Sequence, residues 1–346
     1  LGGLKGSISP SATINHHPEP ISVIVAAKNE ARKLPALLSS IAQLESPEVD
    51  YEIIIVSDHS TDETNQVIAN WDGKFGIRFI DFQGEIPGVI GKKAALQTGI
   101  GAAKYDVLSF TDADCQLPPN WLIEISHSMT PELDYMLGYS TIYQAMEESD
   151  LKLVNFERSI YYALAAAGLA HGKAITSSAC NHVYRKSLFD RAGGFDGIGH
   201  IMSGDDDLLL IKMMPHIKKA IYNPRPDLQV SCVEDKNLAR QYHKNIRRAS
   251  KFKHHPPYLK RLSAAIFLYF IMFYVALILL FCTKLNLLLL AAILLKTASE
   301  LFISQYHLKL VNKTHLGILY FPQILIFPLQ FVFYAIRGSI GKYRWK

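Results

Sequence analysis

The sequence predicts an α/β domain built on a mainly parallel open sheet, followed by C-terminal membrane-spanning helices. Three observations predict it: short β-branched runs alternate with helical periodicity, carboxylates recur just after those runs, and a tract at 262–336 is sparse in ionised residues. The first run, ISVIVAA at 21–27, is apolar on both parities, as a strand covered on both faces requires. Residues 29–44 then carry Leu34, Leu37, Leu38, Ile41 and Leu44 at helical spacing, with Asn29 as the N-cap and Pro35 in the first turn. YEIIIV at 51–56 repeats the strand signal, and Ser57, Asp58, Ser60, Thr61 and Asp62 supply turn and cap residues for a helix at 63–69. Two more strands at 77–82 and 106–110 flank the helix-like GKKAALQTGIGAAK. Beyond them the spacing predicts a strand at 134–141 and a long helix at 150–169. Sheets of this kind bind ligands outside the C-terminal ends of their strands.

Composition narrows the class. The chain has 346 residues, 49% hydrophobic and 19% charged, with a formal net charge of +5, which excludes a disordered tail and a disulfide-stapled miniprotein. Its basic residues cluster at 251–261 and 337–346, beside the apolar tract, so anionic lipid headgroups rather than nucleic acid are the expected partner. Cys115, Cys180, Cys232 and Cys282 are widely spaced and lack any C-x-x-C, which argues against a zinc site and gives no sign of a disulfide framework. A reducing, cytosolic domain is expected. Residues 1–20, rich in Gly, Ser, Pro and His without an apolar core, read as a flexible leader and not as a signal peptide.

The residues after each strand carry the chemistry. DVLSFTDADC places Asp112 and Asp114 two residues apart where a buried strand ends, a spacing that converges on one hard cation if the backbone turns between them. A bare D-x-D is more often an Asp-rich turn, so the reading depends on its context. Lys28 and Glu30 follow the first strand, where they either meet a nucleotide or start a helix as a solvated pair. Asp205, Asp206 and Asp207 are either a catalytic cluster or a helix N-terminal charge cluster. His182 and Tyr184 either line an acceptor pocket or are structural residues of a strand, the second being the more common case. Cys115 reads as a small packed hydrophobe.

In order, SVIVAAKNE, VSDHSTDET, GKKAALQTGI and DADC resemble the motifs of the family 2 glycosyltransferases, and the resemblance runs from about residue 21 to about residue 250. It implies a nucleotide-sugar-binding domain of the type A glycosyltransferase fold and inverting chemistry. VSDHSTDET resembles the V-D-D-G-S-T-D-x-T signature, with Ser57 for the first acid and His59 for the glycine. By these matches Asp58 holds the nucleotide base, Lys92 faces the diphosphate, and Asp112 and Asp114 bind Mg2+ or Mn2+, with Asp112 also on the nucleotide-sugar side; Glu30 joins that side only by its own position after the first strand. SGDDDLLL stands where the family has a Glu-Asp pair, which implies Asp206 as the catalytic base, or Asp205 if the match slips by one residue. The processive members' Q-x-x-R-W becomes QYHKN here, keeping Gln241 but with Lys244 and Asn245 in place of Arg and Trp.

Three membrane spans are expected. The first, 262–283, is about 22 uncharged residues, roughly 33 Å as a helix. The second, 285–303, contains Lys296 and Glu300 at a pairing i, i+4 spacing. The third, 316–336, carries Pro322 and Pro328. The expected organisation is a leader at 1–20, a glycosyltransferase domain at 21–235, a basic linker at 236–261 that is an interfacial amphipathic helix or a soluble basic one, the membrane region at 262–336, and a basic tail at 337–346. The resulting expectation is an integral protein of the cell membrane with a cytoplasmic catalytic domain, passing a sugar from a nucleotide-sugar donor, UDP-linked in most of the family, to a lipid or cell-surface glycan precursor. The alternatives are a processive polysaccharide synthase and a catalytically silent nucleotide-sugar-binding scaffold in the membrane.

Overall fold

Four β-branched runs form the parallel half of the main sheet: β1 (Ile21–Ala27), β2 (Tyr51–Asp58), β3 (Ile77–Phe82) and β4 (Val107–Asp112). The computed structural model describes residues 17–143, 149–233, 238–282 and 287–340. It divides into two units, one of residues 1–147 with 161–234 and one of residues 148–160 with 235–346.

In the first unit the crossovers are α1 (Leu34–Ile41), α2 (Thr64–Ala69) and α3 (Lys92–Ala102), after which come β5 (Cys115–Gln116), α4 (Trp121–Ser128), β6 (Tyr135–Gly138) and β7 (Ser140–Tyr143). A long helix, α5 (Ser149–Ala170), is shared between the units. It is followed by β8 (His182–Arg185), α6 (Lys186–Arg191), α7 (Asp207–Met213), β9 (Ala220–Asn223) and β10 (Val230–Val233). The seven-stranded sheet runs β3-β2-β1-β4-β8-β6-β9, and β8 alone is antiparallel to its neighbours. A three-stranded sheet, β5-β10-β7, stands beside it. Ile24, Ile53, Ile54 and Ile55 have no exposed surface, as expected of strands covered on both faces.

Two local expectations are corrected. The first helix begins at Leu34, not Asn29, because Asn29 takes a left-handed φ of 54° and its side chain accepts the Thr61 N–H at 2.8 Å instead of capping a helix. The single strand expected at 134–141 is two strands in different sheets, β6 and β7, with the switch at Tyr139. At the switch a buried amide replaces ladder bonds: Asn181 donates through Nδ2 to the Tyr139 carbonyl at 2.9 Å, and its own carbonyl accepts the Gly138 N–H at 2.9 Å. A Cβ on Gly138 would fall onto that Asn181 amide, so only glycine fits the corner.

The second unit holds α8 (Leu238–Ser250), α9 (Pro257–Cys282), α10 (Leu287–Leu310) and α11 (Tyr320–Ile340). Three segments, Pro257–Leu280, Leu287–Leu310 and Thr314–Ser339, are long and apolar enough to cross a membrane. Their apolar side chains face outward, with Leu288 82% exposed and Leu295 73%, as lipid-facing residues are. Lys296 and Glu300 form the ion pair their spacing predicts, at 2.8 Å, and the Tyr269 and Tyr320 hydroxyls donate to the same carboxylate at 2.7 and 3.1 Å. The expected basic tail at 337–346 begins inside α11, and its part at 341–346 lies outside the described residues, as do residues 1–16 of the expected leader and 236–237 of the linker.

Candidate active site

The loops that leave β1 and β2 are stitched together by short polar side chains. Glu30 N–H donates to Thr64 Oγ1 at 2.8 Å, Ala31 N–H to Asp62 Oδ2 at 3.2 Å, and Asn29 N–H to Ser60 Oγ at 3.2 Å. Burial of Asp62 works against its charge, but the hydrogen bonds from Thr64 and from backbone N–H groups hold its carboxyl below the ordinary range. Asp58, 5% exposed at the end of β2, meets His59 Nδ1 at 2.8 Å and lies 3.5 Å from Lys28 Nζ. His59 has a φ of 51°, the left-handed turn in which glycine is the usual residue, so the turn keeps its backbone course although the side chain differs. Glu30 lies farther out, 3.9 Å from Lys33.

Across the same strand edge, four expected residues and one unexpected one converge. Lys92, the first residue of α3, is 2.5 Å from Asp112 Oδ1 and 3.0 Å from Asp205 Oδ2, so one ammonium ties the end of β4 to the acidic segment ahead of α7. Burial opposes its charge, yet the two carboxylates outweigh it and raise the Lys92 pKa well above the ordinary lysine value. Lys33 reaches Asp114 Oδ2 at 3.1 Å. Carboxylate oxygens of Asp112 and Asp114 and the Cys115 sulfur all lie within 4.8 Å of one another. Both carboxylates are about a quarter exposed, and the positive charges beside them are lysine ammoniums. The donor set therefore fits a hard divalent cation bound through oxygen, with open sides for further oxygen ligands.

The three consecutive acids separate by role. Asp205 takes the Lys92 ammonium, whereas Asp206 is the N-cap of α7 and accepts the Asp207 N–H at 2.7 Å. Lys93 is a second residue, besides Lys33, that sequence reasoning passed over: it is 2% exposed, and its ammonium donates to the carbonyls of Ile201 and Ser203, the latter at 2.8 Å. It thus pins the segment that delivers Asp205. The doubled lysine in GKK was the available signal, since two adjacent lysines on a buried helix start need two different partners.

His182 and Tyr184, 4% and 1% exposed, pack against Phe110 at ring-centroid distances of 5.0 and 4.5 Å. Burial in this aromatic cluster pushes the His182 imidazole down to about 4. They are structural residues of the sheet. The Gln241 side chain lies outside the described residues; the adjacent Tyr242 hydroxyl accepts from Arg337 at 3.1 and 3.2 Å.

Against this geometry, residues 22–193 match the model for glycosyl transferase family 2. The chain carries a family 2 glycosyltransferase domain. A poly-beta-1,6-N-acetyl-D-glucosamine synthase of Staphylococcus epidermidis is 33% identical over 123 residues, 35% of this chain and 28% of that protein. A beta-monoglucosyldiacylglycerol synthase of a Nostoc species is 28% identical over 106 residues, 30% of this chain and 22% of that protein. The glycosyltransferase domain thus aligns with under a third of the length of either curated relative. A mannosyltransferase from Pyrobaculum calidifontis, solved with GDP-Man and Mn2+, superposes with a TM-score of 0.54 at 20% identity, covering 91% of this chain and 89% of that one. The glycosyltransferase domain has the type A fold, a mostly parallel open sheet whose strand ends carry the acids described above.

Proposed function

We propose that the chain is a membrane-anchored, divalent-cation-dependent inverting glycosyltransferase that moves a sugar from a nucleotide-sugar donor, a UDP-sugar by the family resemblance, to a lipid or cell-surface glycan precursor. The observation that carries this reading is the convergence of Lys92, Asp112 and Asp205 at one strand edge, beside Asp114 and within a family 2 domain. Asp58 receives the nucleotide base, with Glu30 at the rim of the same pocket. Lys92 faces the diphosphate. Mg2+ or Mn2+ held by Asp112 and Asp114 would supply positive charge where the leaving diphosphate gathers negative charge.

Asp206 accepts the proton of the acceptor hydroxyl as its oxygen attacks the anomeric carbon from the face opposite the diphosphate, and inversion follows. Asp205 is the weaker candidate for this step, because its carboxylate already holds the Lys92 ammonium at 3.0 Å. Three apolar helices of spanning length support membrane placement, and the catalytic domain is assigned to the cytoplasmic side, where nucleotide sugars are made.

A second reading, processive synthesis, draws on the name of the Staphylococcus epidermidis relative. The replacement of the Arg and Trp of Q-x-x-R-W by Lys244 and Asn245 weighs against it. The test is transfer by the detergent-solubilised chain from a panel of UDP-, GDP-, CMP- and dTDP-sugars to lipid acceptors, with Mg2+, Mn2+ or EDTA. One donor giving a cation-dependent single-sugar product is the expected result, and a polymer ladder would select the second reading. Asp206→Asn should abolish transfer while donor binding survives; unchanged transfer by Asp206→Asn would remove the base assignment.

A further inference from the structure

The fold gathers three thiols that the sequence keeps far apart: Cys115 on β5, Cys180 just before β8 and Cys232 on β10. Wide sequence spacing argued against a thiolate metal site, but the fold brings all three sulfurs within 4.8 Å of one another. Cys115 and Cys232 face each other across the antiparallel β5–β10 pair, with their sulfurs at 3.0 Å. One position along, the Val233 N–H donates to the Asp114 carbonyl at 3.0 Å, which makes the cysteines a non-hydrogen-bonded pair, the type whose side chains stand closest. Cys180 is held by its neighbour Asn181, whose buried amide donates to the carbonyls of Tyr139 and Leu228 at 2.9 and 2.6 Å.

Three sulfurs with no separation above 4.8 Å share a point within about 2.8 Å of each; to reach the roughly 2.3 Å zinc–sulfur bonds of a tetrahedral site, whose sulfurs stand about 3.8 Å apart, the wider separations close and the Cys115–Cys232 pair, at 3.0 Å, opens by about 0.8 Å, a few tenths of an ångström for each sulfur. Asp112 Oδ2, assigned above to the Mg2+ or Mn2+ site, accepts the Cys180 S–H at 3.2 Å. Cys115 and Cys232 are buried while Cys180 is half-buried, so Cys180 is the thiol of the three most open to solvent.

We propose that Cys115, Cys180 and Cys232 form a binding site for a thiophilic divalent cation of the Zn2+ class, distinct in chemistry from the carboxylate pair of Asp112 and Asp114. Binding exchanges three S–H protons, released to solvent, for three sulfur–metal bonds, with no change of oxidation state. The site rests on the thiols alone and stands whether or not the chain transfers sugar.

The test uses the full chain in detergent, its thiols kept reduced by a phosphine, titrated with Cd2+ as the spectroscopic probe. The expected result is one equivalent of Cd2+ giving the ultraviolet thiolate-to-metal absorbance of three sulfurs, undiminished by excess Mg2+ and unchanged in Cys282→Ser. Cys232→Ser should weaken binding at least about tenfold. On the unaltered chain, which removes any question of misfolding, Zn2+ should slow alkylation of Cys180 by a maleimide. Absence of the absorbance, its full retention in Cys232→Ser, or equal alkylation rates with and without Zn2+ would each overturn the proposal.

Discussion

Replacing Lys92 with Met keeps the length and apolar stem of the side chain and removes one charge from between two carboxylates. With the ammonium 2.5 Å from Asp112 and 3.0 Å from Asp205, the two acceptor oxygens can be no more than about 5.5 Å apart. Like charges at that distance, in the effective dielectric of about 20 that suits partly buried groups, repel by at most about 3 kcal/mol, and burial, which already raises the Asp112 carboxyl well above the ordinary carboxylate range, lets the pair relieve part of this by taking up a proton. Breaking a buried ion pair by removing one partner costs a similar amount, about 3 to 5 kcal/mol, and the partial exposure of all three side chains places the expectation at the lower end. For a domain of this size, about 3 kcal/mol lowers the melting temperature by roughly 6 to 12 °C. The assay is thermal unfolding of the detergent-solubilised chain in EDTA and again with Mn2+. The variant should melt lower in EDTA and recover a larger part of the loss than the parent gains when Mn2+ is added, since the cation replaces the missing positive charge. Equal melting temperatures in EDTA, or an equal response to Mn2+ in both proteins, would refute the argument that Lys92 neutralises this pair.

Asp114→Asn removes one oxygen donor and a partly exposed contact to Lys33, so cation-dependent transfer should fall by about 10² to 10³ while the melting temperature in EDTA moves little; a large loss of stability in EDTA would make Asp114 a structural residue. Burial pushes His182 down to about 4, below its unfolded value near 6.5, so the unfolded chain takes up this proton first as the pH falls. Its contribution is therefore complete above about pH 6.5 and is lost toward pH 4, by up to about 3 kcal/mol; unfolding midpoints across that window should fall less in His182→Phe than in the parent. Gly138→Ala sets a methyl group against the Asn181 amide and should cost about 1 to 3 kcal/mol, read as a lower denaturant midpoint, and an unchanged midpoint would contradict the sheet switch described here.

Much of the fold was legible in the sequence because its signals are local. ISVIVAA and YEIIIV are apolar on both parities, so any fold that accepts them must cover both faces, and a parallel sheet does. The apolar lengths at the C-terminal end likewise specify helices of membrane-spanning length without reference to any neighbour. The D-x-D was legible for the same reason, since both acids sit on one strand end. The break between β6 and β7 was not, because it depends on a glycine corner and on an asparagine more than forty residues away. Nor was the true start of α1, because Asn29 prefers a partner on the next loop to its own helix.

By itself, the sequence determined the parallel strands, three helices of membrane-spanning length and the order of the acidic motifs, all properties of spacing along the chain. Only the tertiary structure decided which acid meets Lys92 and which caps a helix, that Lys93 anchors the segment ahead of them, and that three distant cysteines bring their sulfurs together. Those outcomes depend on distances between side chains brought together by strand order, and hydrophobic periodicity carries no information about strand order.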